Sequence, residues 1–357
     1  MKNKKIEFRL ATSSNAVEMV DFHNSYYGTK RRPEDWLWEY ITYNPDKAVA
    51  VFATDSGKII ATQGMLPIYL VIGTKTVLAG KSESTLLLPT YRGTQIMQNL
   101  YEYAVGHCIN NGMQFIWGFT GALTAFKKFG FTTYPDIQMM TRPGNIWIGI
   151  HKRLTRKTSI LNRIGSAGKF VLRYFVVKRR KIDSQYYNKE KYELRRGICD
   201  SFPIKEMYRR LSIKHKNLIM IKYDYRYLQW RVFEHPFIKY DIYQVLCGHE
   251  LKAYAIVAFY EGIVSVSDLT SEDKYSSFLL LDAILKDYGK KAGEFRFLGN
   301  TKDVLAQDVF KQLCQFGFSV IGNWNFVLRD LTEGDNGQIY NMHNWHINGL
   351  WTEGYSM

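Results

Sequence analysis

Apolar and polar positions alternate in IEFRLA, residues 6–11, and this period of two predicts a short strand. SNAVEMVDFHNSYYG then predicts a helix with Ser14 as its cap, and RRPEDWLWEYITYNP a second helix stopped by Pro45. AVAVFATD and KIIATQGMLPIYLVI follow as strands joined by a Ser56-Gly57 turn, with TVLAG and STLLLP as two more. After Pro89 the period lengthens to 3.6. Ile96, Leu100, Tyr103, Ala104 and Cys108 mark one face of a helix ended by Asn110, Asn111 and Gly112. QFIWGFT predicts a buried strand, GALTAFKKFGF a short helix with a turn at Gly130, and a last strand runs through Met140. The order β-α-α-β-β-β-α-β-α-β implies a mixed sheet covered by helices, an α/β (α+β) class.

The second half replays this plan. A helix over 203–216 and the segment YDYRYLQWRVFEHP lead into IYQVLCGHELKAYAIVAFY and IVSVSDLT; helix FLLLDAILKDYG, strand EFRFLG, helix VLAQDVFKQLCQFGF and a final strand follow. Trp38 leading to Asn44-Pro45 has a counterpart in Trp230 leading to His235-Pro236. Phe126 before Phe129-Gly130-Phe131 has one in Phe310 before Phe316-Gly317-Phe318. Order and spacing agree as well as residue type, so an internal duplication is expected. Its parts are residues 1–148, a basic linker helix over 149–185, and 186–357.

Charge changes the picture in one place. The chain carries a net +15, and between His151 and Ile182 stand eleven Lys or Arg and no Asp or Glu, so one segment makes the protein basic. Within it Leu154, Leu161, Ile164, Gly168, Val171 and Phe175 recur at helical spacing. Either this stripe packs on the two domains, or residues 151–182 lie on an anionic membrane; nucleic acid is the least favoured partner. Cys108, Cys199, Cys247 and Cys314 are scattered with no CxxC pair, and no run approaches the ~20 apolar residues of a membrane span. The expectation is a cytoplasmic protein with reduced thiols, peripheral at the inner membrane face if the basic segment meets lipid. His343 and His346 are three apart without a nearby carboxylate except Glu353, so no metal is expected.

The stretch that bears most on chemistry runs from Ser82 to Met97: an apolar strand, Pro89, a short polar turn and a helix. A turn that opens a helix presents unpaired N–H groups and the positive end of the helix dipole, which suits a pyrophosphate. The strand-P-x-Y-R-G pattern with Arg92 and Gly93 resembles the acetyl-CoA-binding region of the GNAT N-acetyltransferase family, whose fingerprint is [QR]-x-x-G-x-[GA]. Gln95 and Met97 stand where that fingerprint has its glycines. Ala122 to Phe131 is similar to the family segment A-x-x-x-Y-x-x-x-G-F, with Phe126 at the position of the tyrosine that often protonates the leaving thiolate.

The resemblance implies two tandem GNAT-like units, the first binding acetyl-CoA or another acyl-CoA as co-substrate. Its expected binding residues are Leu86, Leu87, Leu88, Arg92, Gly93, Thr94, Gln95 and Ile96, with backbone N–H groups near Leu86 to Leu88 on the oxyanion. Glu83, just before the strand expected to bear the thioester, is the candidate base, and the Met357 carboxylate a second one. In the second half SEDKYSS puts acids where a pyrophosphate would sit, so that copy is expected to be structural or to bind the acceptor. YLQWR with His235-Pro236, and the ending WHINGLW, are similar to GNAT-like proteins of surface-polysaccharide assembly, which implies an amine or amino-sugar acceptor. Two alternatives remain: aminoacyl transfer from tRNA to a cell-wall precursor, and a non-catalytic binding protein that kept the fold.

Overall fold

The computed structural model describes residues 5–156, 158–178, 191–197, 201–332, 334 and 337–352. The chain folds into two compact units, the first formed by 1–135 with 325–340 and the second by 136–324 with 341–357. The expectation of two contiguous halves differs from this in one respect: each half of the sequence supplies the last strand of the other unit's sheet.

In chain order the elements of the first half are β1 (Ile6–Leu10), α1 (Ala16–Tyr27), α2 (Pro33–Leu37), β2 (Val49–Asp55), β3 (Lys58–Ile72), β4 (Lys75–Leu87), α3 (Ile96–Asn110), β5 (Phe115–Phe119), α4 (Leu123–Lys128) and β6 (Thr132–Pro143). This is the expected order. Two details differ. Ser14 lies inside a 3-10 turn, Ser13–Asn15, whose cap is Thr12, and Asn15 precedes α1. TVLAG and STLLLP are parts of one strand, β4, because the polar run between them is satisfied in place: Lys81 pairs with Glu83, and Ser82 accepts from Gln63 at 3.1 Å and from Tyr101 at 2.8 Å.

The first unit's sheet runs β1-β2-β3-β4-β5 and then residues 326–330, which pair antiparallel with β5. All neighbours are antiparallel except β4 and β5. On one face α3 buries Met97, Leu100, Tyr101, Ala104, Val105 and Cys108. That set follows the i, i+3, i+4, i+7, i+8, i+11 spacing of a buried stripe better than the one expected around Tyr103. With Val49, Val51, Met65, Ile116 and the Phe126–Phe129–Phe131 cluster it forms the unit's core.

The remaining elements are α5 (Ile146–Leu154), α6 (Ile160–Lys178), β7 (Glu193–Arg196), α7 (Ser201–Lys214), β8 (Ile219–Ile221), α8 (Tyr225–Leu228), β9 (Tyr240–Cys247), β10 (Glu250–Tyr260), β11 (Ile263–Ser271), α9 (Lys274–Tyr288), β12 (Glu294–Asn300), α10 (Gln307–Gln315) and β13 (Ser319–Asp330). The second sheet runs β7-β9-β10-β11-β12-β6, with β11 and β12 parallel and β6 antiparallel to β12. It repeats the first sheet strand for strand. The landmark tryptophans agree too: Trp38–Thr42 and Gln229–Phe233 are both π turns continuing a short helix, and Gly130 and Gly317 take φ of +80° and +89°. These two glycines sit in the left-handed region, which is why the F-G-F turn recurs.

The linker expected as one helix over 149–185 is two within its described residues, α5 and α6, broken near Thr155–Ser159. Gly149 makes room for the Phe170 ring, which lies 4.0 Å from the Arg153 guanidinium. Arg153 is paired with buried Glu294, and Arg173 donates to the Thr141 carbonyl at 2.7 Å.

Candidate active site

The first unit's parallel strands meet briefly and then part. β4 and β5 are registered at Gly80↔Ile116 and Lys81↔Trp117, although β4 continues to Leu87. Gly118 keeps the pair close for one more step, since a Cβ there would lie 3.2 Å from Ser82. Beyond it, β4 carries a bulge. Thr62 faces Leu86 and Gly64 faces Glu83, so Gln63 alone opposes Ser84 and Thr85, and Ser84 takes a left-handed φ of +50°. A non-glycine residue in that region is strained and persists only where its surroundings hold it. Here they do. Tyr40 donates to the Ser84 hydroxyl at 2.8 Å, Thr62 to the Ser84 carbonyl at 3.0 Å, and Thr85 to the Gln63 amide oxygen at 2.6 Å. Gly64 admits the Tyr40 ring, which a Cβ would strike at 2.3 Å.

Glu83 lies within β4, at this bulge, rather than just before the strand. Its carboxylate pairs with Lys81, two residues back on the same face of β4, and both side chains are largely buried. The Tyr40 and Tyr101 hydroxyls stay protonated because burial drives both pKa values up. Sequence reasoning missed this bracing set. Tyr101 was legible in principle, four residues after Met97 on the buried stripe, whereas Gln63 and Tyr40 meet Ser84 only through sheet register.

Past β4, Pro89–Tyr91 form a 3-10 turn, Arg92 is extended, Gly93 has φ +80° and α3 begins at Ile96. The Leu88 N–H is committed to the Ile60 carbonyl at 2.9 Å, which removes it as an oxyanion donor; Leu86 and Leu87 face Thr62 and Ala61 of β3. Arg92 N–H bonds Pro89 at 3.2 Å, Thr94 N–H bonds Tyr91 at 3.4 Å, and Ile96 N–H is 3.4 Å from the Thr94 hydroxyl. Among the described residues the N–H groups of Gly93, Gln95, Met97 and Gln98 have no hydrogen-bond partner, and no side chain caps α3. These are the donors an anion would use. The Arg92 guanidinium is exposed and bonds the Tyr26 hydroxyl at 3.1 Å.

The replaced fingerprint glycines now have a physical account. Gln95 is in the right-handed region at φ −80°, which needs no glycine, and its side chain points to solvent. Met97 is buried in the core beneath the loop. Gly93, with open space around its Cβ position, is the position where the turn does require glycine. Phe126 is buried 5.7 Å from the Tyr101 ring and has no hydroxyl to offer. The Met357 carboxylate lies outside the described residues.

Residues 7–134 match the model of the acetyltransferase (GNAT) domain. Solved structures of GNAT proteins share the fold across nearly its whole length. One is a protein from Enterococcus faecalis described as a probable N-acyltransferase (TM-score 0.62, 9% identity, 92% of this chain and 73% of that one). A GCN5-related N-acetyltransferase from Anabaena variabilis gives TM-score 0.61 at 10% identity, covering 92% and 73%. A tandem GNAT protein from the clavulanic acid biosynthesis pathway gives 0.56 at 9% identity, covering 93% and 100%. A search of characterised sequences finds no significant match. Together with the repeated sheet order, these likenesses make the architecture a tandem GNAT fold.

The second GNAT-like unit closes the equivalent opening. β11 and β12 are registered over Ile263–Val266 and Glu294–Phe297, and beyond that the tail of the chain fills the space. Asn300 donates to the carbonyls of Met342 and Trp345 at 2.7 and 2.8 Å, and Gly299 bridges Asn348. Trp345 and Trp351 are buried there in edge contact at 5.6 Å. His346 sits between Asp303, 2.6 Å from Nδ1, and Thr270, 2.7 Å from Nε2. Burial alone would lower its pKa, but the Asp303 carboxylate outweighs that and raises it. The N-terminus of α9 is capped by Asp273, whose carboxylate accepts from the N–H groups of Tyr275 and Ser276 at 2.9 Å. Among the described residues no group of three or more potential metal ligands occurs, and no helix is long and apolar enough to cross a membrane.

Proposed function

We propose that the chain is an acyl-CoA-dependent N-acyltransferase, using acetyl-CoA and acting on an amine acceptor such as an amino sugar. The observation that carries this reading is the first unit's combination of a splayed, bulged β4 with four unpartnered N–H groups after Gly93, within the segment that matches the GNAT acetyltransferase domain. Gly93, Gln95, Met97 and Gln98 amides would hold the diphosphate, with Arg92 at its edge. The bound thioester supplies the acyl group. Glu83 takes the proton lost by the attacking amine, directly or through water, and Lys81 beside it holds the carboxylate in place. Phe126 donates no proton, and a thiol of pKa near ~8.5 leaves as thiolate without one. The amino-sugar acceptor rests on the similarity of the segments around Trp230 and Trp345 to polysaccharide-associated relatives. Free thiols at Cys108, Cys247 and Cys314 fit a cytoplasmic setting, where acyl-CoA is found.

The test is steady-state kinetics of Glu83→Gln with acetyl-CoA and a panel of amino sugars. We expect kcat to fall by roughly 10² or more with acetyl-CoA affinity unchanged. A variant as active as the wild type removes Glu83 from the mechanism. A wild-type protein that shows no thermal shift with any acyl-CoA returns the chain to the tRNA-dependent or non-catalytic alternatives.

A further inference from the structure

The stripe of α6 faces away from the protein. At 100° per residue, Leu161, Ile164, Gly165, Gly168, Leu172, Phe175 and Val176 fall within an arc of about 120°, and all are exposed. Leu161 is 78% exposed and Leu172 71%, values at odds with a stripe that packs on a domain. The opposite face holds Ala167 and Phe170, both buried, and Arg173, which bonds Thr141 and Ser319; Arg163 donates to the nearby Thr158 carbonyl at 2.8 Å. The apolar arc thus faces outward, with exposed Lys169 at its edge, the inverse of a helix whose stripe packs on its own domain.

Next to this face, between α5 and α6, opens a cleft of 460 Å³ lined by Arg153, Arg156, Arg163, Lys169 and Arg173. No Asp or Glu is among its lining residues. Leu161 and Gly165 belong both to the cleft wall and to the apolar arc, so an amphiphile with a phosphate at one end and hydrocarbon at the other matches the two together.

We propose that α6 docks this protein on an anionic bilayer, lying in the interfacial plane with Leu161, Ile164, Leu172, Phe175 and Val176 among the acyl chains and a lipid phosphate in the adjacent cationic cleft. The occupant follows from charge. The segment from His151 to Ile182 has eleven Lys or Arg and no acid, so a second copy docked on the same face would oppose like charges, whereas an acidic lipid surface neutralises them. The 19 residues of α6 span about 28 Å, enough for an in-plane anchor, and the helix is too polar to cross. The inference uses the second unit alone and stands apart from the proposed acyl transfer.

The experiment is flotation of the full-length protein with phosphatidylcholine vesicles, with and without about a third phosphatidylglycerol. We expect binding to the anionic vesicles, weakened by salt, and little to the neutral ones. The exposed-site variant Leu161→Asp/Leu172→Asp, and separately Arg156→Glu/Lys169→Glu, should each lower the bound fraction roughly tenfold while the melting temperature stays unchanged. Equal binding to neutral vesicles, no flotation of the wild type, or unchanged binding by both variants overturns the proposal. So does a stable solution dimer, seen by light scattering, that the Leu161→Asp/Leu172→Asp variant dissociates.

Discussion

The two units share one strand order and differ in what lies between their parallel strands. In the first, β4 and β5 part after Gly118, and four N–H groups in the loop and first turn of α3 have no partner among the described residues. In the second, the corresponding opening between β11 and β12 holds Trp345, His346 and Asn348, and Asp273 already occupies the amides at the start of α9. The same scaffold is left open in one copy and filled as core in the other. The repeated sheet supplies two openings, and the tail packs into one of them.

The largest effect expected from disturbing this contrast is in the filled copy. Trp345 is fully buried, so Trp345→Ala should cost about 3–5 kcal/mol in denaturant unfolding. It should not create a second acyl-CoA site, because Asp273 still caps α9. A second binding equivalent in that variant would show that the tail alone distinguishes the copies.

A smaller effect compares one repeated position. Asn44 of the first copy corresponds to His235 of the second, buried, with its Nδ1 accepting from the N–H groups of Phe237 and Ile238 at 3.3 and 3.2 Å. Burial, aided by Arg231, lowers the His235 pKa to about 3. The folded state thus binds a proton less readily than the unfolded chain, whose histidine titrates near ~6.5. The contribution is complete above pH ~6.5 and is lost as pH falls toward the folded value. At pH 5 the wild type should be less stable than at pH 7.5 by about 2 kcal/mol from this group, and His235→Asn should remove that part of the pH dependence. A slope unchanged in the variant would assign the acid sensitivity elsewhere.

The smallest effect is at the second copy's cap. Asp273→Ala removes the acceptor for two amides and should cost about 1 kcal/mol of stability, with acyl transfer unchanged. A loss of transfer would mean that the second copy takes part in catalysis.

Much of this was legible from the chain. The order of elements, the duplication and the loop at Arg92-Gly93 follow from periodicity, repeated landmarks and turn chemistry, because each is local. What escaped is non-local. The polar run Lys81-Ser82-Glu83 reads as a break, yet it stays in the strand because its partners lie at residues 63 and 101 and within the run itself. The exchange of final strands shows only in the pairing, β13 on β5 and β6 on β12. The outward apolar arc of α6 was visible as periodicity, but its direction depends on where Phe170 and Arg173 find their partners.

The central claim is that the first unit alone binds acyl-CoA, through the amides that follow Gly93. Isothermal titration of the full-length protein with acetyl-CoA tests it most directly, alongside Gly93→Val, which forces a β-branched residue to φ +80°. One site per chain is expected, weakened roughly tenfold or more by the substitution. Two sites per chain, none, or one site indifferent to Gly93→Val would contradict it.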